Sequence, residues 1–190
     1  MELLKKYAPD IMLVQEIHLT DDDNASFFSA HFVSKMGYGT AIGSELPLEN
    51  IKKVQSPYAE MGGFIRKKTT IASTTTMSMP IQFVSFHGYN GQPFKNVDKL
   101  VAHVEAVLEK VDPVSACFFA GDFNTWTTEH LEAVKATMQQ ESFELVYSWP
   151  YPGRDEALDH VFVRGINVIK AENYACASDH RGAILEIEQA

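Results

Sequence analysis

The sequence predicts a single domain over residues 1–190 of the α+β or mixed α/β class, with two layers of β-sheet. Most apolar segments are short runs rich in β-branched and aromatic residues, which is typical of strands, and only two clear segments repeat apolar residues at helical spacing. A length of 190 residues with 45% hydrophobic content is enough to bury one core. Because strands outnumber helices, we expect sheet to pack on sheet.

Turn and proline signals divide the chain into predicted strands. Residues 46–63 are expected to form a loop with a weak strand. We interpret Gly37, Gly39 and Gly43 as turns and bulges, because their spacing does not match the strand, glycines and helix of a dinucleotide site. The remaining predicted strands are 11–14, 40–42, 64–76, 81–86, 115–120, 145–149, 158–163, 166–171 and 183–187.

Two helices are predicted from periodicity and capping signals. Residues 97–110 repeat apolar side chains on one helical face, and Thr127-Thr128-Glu129 caps a helix that runs to about residue 140. Acidic residues 21–23 predict the start of a short helix over 25–32. Residues 1–7 resemble the last turns of another helix, with Leu3 and Leu4 inward. Since the chain opens inside this pattern, we expect an earlier segment to be missing.

The net charge of −9 argues against a protein that relies on a basic nucleic-acid surface. The cluster Arg66-Lys67-Lys68 is short, and we interpret it as a solvated turn or strand end. An acidic protein can still act on phosphate esters if a divalent cation supplies positive charge. The charge therefore lowers the expectation of a nucleic-acid partner without removing it.

Cysteine usage and hydropathy indicate a cytoplasmic protein. Cys117 and Cys176 have no short-range pattern, so we expect both to be free and buried. No apolar stretch approaches the ~20 residues of a membrane span, and no secretory signal is present at the start of this sequence. We expect a soluble protein in a reducing compartment with no stable protein partner; export stays open if the true start of the chain is missing.

Polar side chains stand where predicted strands end or begin. Strand exits carry Glu16, His87, Asp122 and Asn124, and strand entrances carry Asp159, Asp179 and His180. In a mixed sheet these exits and entrances lie along one edge. Each residue alone has a plain explanation as a turn residue or an edge histidine. The repeated layout favours one shared polar site.

The residue types in this set narrow the chemistry. Carboxylate and amide oxygens without paired cysteines suit Mg²⁺ or Mn²⁺ better than structural zinc. The two histidines could protonate a leaving group or bind a phosphate. The set therefore predicts metal-assisted hydrolysis of a phosphoester.

Five short motifs occur in an informative order: Gln15-Glu16, Ser85-Phe86-His87, Gly121-Asp122-Phe123-Asn124, Leu158-Asp159-His160 and Ser178-Asp179-His180. In this order and spacing the chain resembles the endonuclease/exonuclease/phosphatase superfamily from end to end. Within that superfamily its amino-acid sequence is most similar to those of small bacterial members. The resemblance implies a four-layered α/β/β/α sandwich of two mixed β-sheets flanked by helices. It also implies a site at one end of the sheets.

The resemblance further implies a role for each matching residue. Glu16 is similar to the principal metal ligand, and Asp179 would join the metal region. Asp122 matches the aspartate that orients or activates the attacking water, and Asn124 would hold that water or the phosphate. The remaining three matches concern the phosphate: His180 would contact it, Asp159 would fix the ring of His180, and His87 is similar to a phosphate ligand or general acid.

The chain departs from the family pattern at its start. Members open with a strand that ends in an asparagine of the metal site, and no such strand precedes Leu3. A proline common after Ser-Asp-His is replaced by Arg181-Gly182, for which we expect only a local backbone effect. The alternative to a hydrolase is a non-catalytic binding protein with an incomplete metal site. The natural ester stays open among nucleic acid, a phospholipid headgroup and a small phosphate ester.

Overall fold

The computed structural model describes residues 6–19, 27–35, 38–74, 80–91 and 95–190. Within these ranges two α-helices and eleven strands are present. The helices are α1 (Val97–Leu108) and α2 (Thr128–Gln140). The strands are β1 (Ile11–His18), β2 (Ala30–Val33), β3 (Tyr38–Ser44), β4 (Glu49–Gln55), β5 (Lys68–Thr74), β6 (Ile81–His87), β7 (Ala116–Asp122), β8 (Glu144–Pro150), β9 (Ala157–Arg164), β10 (Ile166–Tyr174) and β11 (Gly182–Gln189).

The main sheet has six strands in the order β4-β5-β6-β7-β9-β8. Its pairs are antiparallel except β6 with β7, which is parallel. A parallel pair needs a crossover connection, and α1 lies within the segment that joins these two strands. The second layer is formed by two smaller antiparallel sheets, ordered β1-β3-β2 and β10-β11.

Two apolar clusters cover the two faces of the main sheet. On one face Phe86, Phe119 and Phe123 pack beneath buried residues of α1 and α2. On the other face Phe83 and Phe118 lie in a cluster with residues of both smaller sheets. The predicted stacking of sheet on sheet, and the α/β sandwich fold that the resemblance implies, are confirmed.

Both predicted helices are confirmed, and their N-termini are capped by side chains. Asn96 accepts a hydrogen bond from the Lys99 backbone N–H at 2.9 Å, and Thr127 accepts one from the His130 N–H at 3.3 Å. These bonds satisfy backbone donors that have no partner inside the helix. α1 ends at Leu108, two residues before the predicted end, with the Glu109 N–H bonded to the Glu105 carbonyl.

Several local predictions need correction. The helix predicted over 25–32 is wrong in its described part, because residues 30–32 belong to β2, which pairs with β3. Gly39 and Gly43 lie inside β3 and not at turns. A Cβ on Gly43 would fall 2.1 Å from the Phe27 ring, so the glycine admits that ring against the strand. Residues 1–5 of the first predicted helix, the acidic cap at 21–23, and Gly37 lie outside the described residues.

The two cysteines, both predicted to be free and buried, differ in their burial. Both cysteines are free: Cys117 is buried, as predicted, whereas Cys176 is half-buried. Burial raises the pKa of the Cys117 thiol to about 12, which keeps it protonated and unreactive.

In the described ranges no helix is both long enough and apolar enough to cross a bilayer.

Two fully buried histidines form a natural comparison. The ring of His103 on α1 lies 4.9 Å from that of Phe86, and neither of its nitrogens has a hydrogen-bond partner among the residues that the structure describes. His160 on β9 is paired at both nitrogens, with Thr125 Oγ1 at 2.6 Å and Ser148 Oγ at 2.7 Å. Burial lowers the pKa of His103 to about 3 and that of His160 to about 4, so both rings are neutral.

We predict opposite effects when these two histidines are replaced by leucine. His103→Leu removes two unpaired polar atoms and should raise the free energy of unfolding by about 1 kcal/mol. His160→Leu removes the partner of the Ser148 hydroxyl and one of the two partners of Thr125 Oγ1, which still donates to the Ala157 carbonyl, and should lower it by about 1–3 kcal/mol. Urea denaturation at pH 7 measures both, and destabilisation of similar size in the two variants would contradict the prediction.

Candidate active site

One row of the main sheet brings together three of the predicted site residues. In the β6–β7 ladder His87 is the register partner of Asp122, and in the β7–β9 ladder Asp122 is the partner of Asp159. β6 and β7 end at this edge and β9 begins there, as the sequence predicted for exits and entrances of a mixed sheet. The three side chains are buried.

Asp122 and Asn124 meet through a tight turn after β7. The Asn124 backbone N–H donates to Asp122 Oδ1 at 2.8 Å, and its side-chain Nδ2 donates to Oδ2 at 3.2 Å. Asn124 adopts a left-handed φ of 55°, which brings its amide back over Asp122. A Cβ on Gly121 would lie 2.0 Å from the Phe86 carbonyl oxygen, so only glycine allows β6 to approach here.

The Asp122 carboxyl is poised to exchange a proton near neutral pH. Burial, and next the negative charge of Asp159, raise its pKa from 3.8 to about 7. The charges of His180 and Lys67 and the Asn124 N–H oppose this rise. A carboxylate with a pKa near the working pH suits general base catalysis.

His180 forms an ion pair with Asp159. Its Nδ1 donates to Asp159 Oδ2 at 2.7 Å. Burial lowers the pKa of His180, but the hydrogen bond and charge of Asp159, joined by the charges of Asp122 and Asp179, outweigh it and raise the pKa to about 9. Burial likewise raises the pKa of Asp159, while His180 counteracts that rise. The shared proton therefore resides on His180, which carries a positive charge at neutral pH.

A bulge in β1 directs Glu16 to the same edge. The register of β1 with β3 shifts between Val14 and Ile17, and Glu16 takes a φ of 54°. Such a backbone conformation is costly for a residue with a side chain and is often found at functional sites. Glu16 Oε1 lies 3.5 Å from His87 Nε2 and 3.8 Å from Lys67 Nζ, while 71% of its side chain stays exposed.

Lys67 is a site residue that the sequence interpretation missed. Its Nζ lies 2.5 Å from His87 Nε2, and only 13% of its side chain is exposed, so the prediction of a solvated basic turn is wrong at this position. Arg66 instead donates to the Ser56 carbonyl and Lys68 to Gln55 Oε1. Lys67 immediately precedes β5, and its position before a strand beside β6 was the available signal.

His87 is neutral in this arrangement. Burial, followed by the charge of Lys67, holds its pKa well below the usual range. Nε2 then accepts from the Lys67 ammonium, so the ring proton lies on Nδ1. Nε2 is also 3.6 Å from Asp122 Oδ2, which makes His87 the link between Lys67 and the row of carboxyls.

Asp179 lies at the rim of the site. It is exposed, and it accepts hydrogen bonds from Tyr151 OH at 3.3 Å and from Ser178 Oγ at 3.3 Å. The Tyr151 ring lies 4.8 Å from the His180 ring, and sequence reasoning did not select this tyrosine. Glu16 therefore contacts His87, which is one end of the row of His87, Asp122 and Asp159. Asp179 is connected to the other end, Asp159, through Tyr151 and His180.

Comparison with known proteins identifies the family. A sequence profile of the Endonuclease/Exonuclease/phosphatase family matches residues 1–180, which is most of the chain. The chain belongs to the endonuclease/exonuclease/phosphatase family. The expectation drawn from the five motifs is therefore confirmed.

Among curated relatives of this family member, a UPF0294 protein of Vibrio campbellii is 29% identical over 188 residues, covering 90% of this chain and 64% of the relative. An endonuclease/exonuclease/phosphatase from Beutenbergia cavernae shares the fold with a TM-score of 0.75 at 17% identity, covering 99% of this chain and 64% of that structure. The human Nocturnin catalytic domain with a bound sulfate anion matches with a TM-score of 0.71 at 16% identity, covering 100% and 84%. The chain spans about two thirds of the first two proteins.

Enzymes of the endonuclease/exonuclease/phosphatase family typically use divalent metals, and the donor set here is compatible with one. Glu16 offers a solvent-accessible carboxylate beside His87, at the edge of the main sheet where β6 and β7 end. Among the described residues no group of three His, Cys, Asp or Glu side chains forms a ready metal cage. Mg²⁺ does not require one, because it commonly takes one or two carboxylates and completes its shell with water and substrate phosphate.

The raised pKa of Asp122 predicts a stability effect. Because the folded state binds this proton more tightly than the unfolded state, ionisation of Asp122 between about pH 4 and pH 7 costs stability. Asp122→Asn should therefore raise the melting temperature at pH 8 by at least ~2–4 °C, the shift produced by ~1 kcal/mol in a chain of this size, and change it little at pH 4. Scanning calorimetry in EDTA checks this. An unchanged or lower melting temperature at pH 8 would contradict it.

Proposed function

We propose that this protein hydrolyses phosphoester bonds, a phosphodiester in particular, with the help of Mg²⁺ or Mn²⁺. The observation that carries the proposal is the placement of two neighbouring carboxyls in one row of the sheet: Asp122, whose pKa is near 7, and Asp159, which holds the cationic ring of His180 at 2.7 Å. Asp122 can take a proton from water, while His180 supplies positive charge for a phosphate. Family membership supports the same reaction class.

In this mechanism Asp122 accepts the proton of the attacking water. Asn124 holds the carboxylate through its N–H and Nδ2, so that the remaining lone pairs face the water. Protonated His180, kept in orientation by Asp159, donates to a phosphate oxygen. Positive donors placed where negative charge develops lower the barrier, and removal of one such donor typically costs ~10²–10³ in rate.

Lys67 and His87 act on the other side of Asp122. Neutral His87 positions the Lys67 ammonium, which donates to a phosphate oxygen or to the leaving group. Glu16 would hold the divalent cation at the His87 end of the row, whereas Asp179 lies at the opposite end, beyond His180. When bound, the cation polarises the phosphoryl group as a Lewis acid and offsets its negative charge.

Hydrolysis of bis(4-nitrophenyl) phosphate tests the proposal. We expect turnover with Mg²⁺ or Mn²⁺, its loss in EDTA, and a decrease of at least ~10²-fold in Asp122→Ala and in His180→Ala. Lys135→Ala is the control, because Lys135 pairs with Glu132 on the surface of α2. Equal activity in wild type, Asp122→Ala and His180→Ala would refute the proposal.

Calorimetric titration with MnCl₂ separates the hydrolase from a non-catalytic member of the family. We expect wild-type protein to bind the cation and Glu16→Gln to bind it more weakly, because the amide has lost the charge. If the wild-type protein neither binds Mn²⁺ nor hydrolyses the diester, the alternative of a binding protein with an incomplete metal site is favoured.

Lys67 and Lys68 provide a matched pair of variants. Lys67→Met should lower kcat by ~10²-fold, because it removes a cationic donor from the site. Lys68→Met should change kcat by less than ~2-fold, since Lys68 is directed to Gln55. Similar activity in the two variants would show that Lys67 does not contact the reacting phosphate.

A further inference from the structure

A cluster of cations and aromatic rings borders the candidate active site. We call it the Trp126 cluster and define it as Lys95, Trp126, Tyr151 and Arg154. Lys95 Nζ lies 3.1 Å from the centre of the Trp126 ring, and the Arg154 guanidinium carbon lies 4.7 Å from it. The Tyr151 ring lies 5.9 Å from the same ring. One half-buried indole therefore positions two positive charges.

The partner of Lys95 Nζ is a neutral one, Asn90 Oδ1 at 3.2 Å, and the more distant charge of Asp122 acts on the lysine as well. Among the described residues, every Asp and Glu oxygen lies beyond ion-pair distance of Lys95 Nζ and of the Arg154 guanidinium. Burial and the charge of Arg154 lower the pKa of Lys95 to about 8. Two like charges are thus held together in a protein that carries a net charge of −9.

Packing alone does not account for this arrangement. A cation–π contact at an exposed site stabilises a protein only weakly. Lysine and arginine side chains lose rotamer entropy when they are ordered. Mutual repulsion of the two charges opposes the arrangement further. An anion bound between them would offset both costs.

Residues of the Trp126 cluster contact residues of the candidate active site. Trp126 Nε1 donates to Asn124 Oδ1 at 3.0 Å, and Asn124 holds Asp122. Tyr151 contacts His180 by its ring and Asp179 by its hydroxyl. A group bound by Lys95 and Arg154 would therefore belong to the same substrate molecule as the phosphate at Asp122.

We propose that the Trp126 cluster is a second phosphate subsite, which binds a phosphate group of the substrate beside the phosphate that is hydrolysed. This proposal rests on the proposed function for the first phosphate. Arginine offers a planar fork of donors for phosphate oxygens, and lysine offers a compact charge. The preferred substrate is then a phosphate ester with at least two phosphate groups, such as a phosphorylated nucleotide diester or a phosphorylated inositol headgroup.

Paired substrates that differ by one phosphate test the subsite. The thymidine dinucleotide TpT is compared with its 5′- and 3′-phosphorylated forms, and glycerophosphoinositol is compared with its 4-phosphate. We expect wild-type enzyme to prefer the two-phosphate member of at least one series, which also identifies the source of the second phosphate. Lys95→Ala and Arg154→Ala should each lower kcat/KM for that member by ~10-fold and for its one-phosphate partner by less than ~2-fold.

Two variants control for indirect effects. Lys95→Arg retains a cation on Trp126 and should keep most of the preference, whereas Lys135→Ala removes a remote surface lysine and should leave both substrates unaffected. Equal effects of Lys95→Ala on one- and two-phosphate substrates, or none on either, would overturn the subsite even if hydrolysis itself is observed.

A binding measurement distinguishes failure of the subsite from failure of the proposed function. Calorimetric titration with pyrophosphate, without divalent cation, should give an affinity that falls by ~10-fold in Lys95→Ala and in Arg154→Ala. If no ester is hydrolysed but pyrophosphate binding depends on these residues, the proposed function fails and the subsite stands. Equal affinity in wild type and both variants overturns the subsite.

Discussion

The hydrogen-bond register across β6, β7 and β9 is the constraint on which the candidate site depends. Because β6 and β7 are parallel, both end at the edge where His87 and Asp122 lie, and β9 runs the other way so that Asp159 enters beside them. A slip of one residue in either ladder would send these side chains to the opposite face. The α1 crossover and the aromatic core beneath it hold this pairing in place.

The same row concentrates strain and buried charge. Burial raises the pKa of both Asp122 and Asp159, and the charge of Asp159 raises that of Asp122 further. Glu16 and Asn124 have left-handed backbones that side chains disfavour. Folding stability from the aromatic core, elsewhere in the main sheet, offsets these local costs. This distribution is typical of a site that is selected for chemistry at the expense of stability.

In this acidic protein, positively charged side chains lie around the candidate active site. Lys67 lies beside His87, His180 carries the proton shared with Asp159, and the Trp126 cluster adds Lys95 and Arg154. Under the proposed function, a local positive site on a negative surface directs phosphate groups toward that site and away from the remainder of the protein. A net charge of −9 therefore does not exclude a phosphate ligand.

The sequence by itself determined most of the strands, both long helices and the positions of polar residues at strand ends, because these depend on local periodicity and on short motifs such as Gly121-Asp122-Phe123-Asn124. Only the tertiary structure decided which residues meet. Lys67 was interpreted as part of a solvated turn or strand end, and Trp126 and Tyr151 were not selected as site residues, because their partners are distant in the chain. The strand β2 was missed because pairing with β3 overrides its local helical pattern.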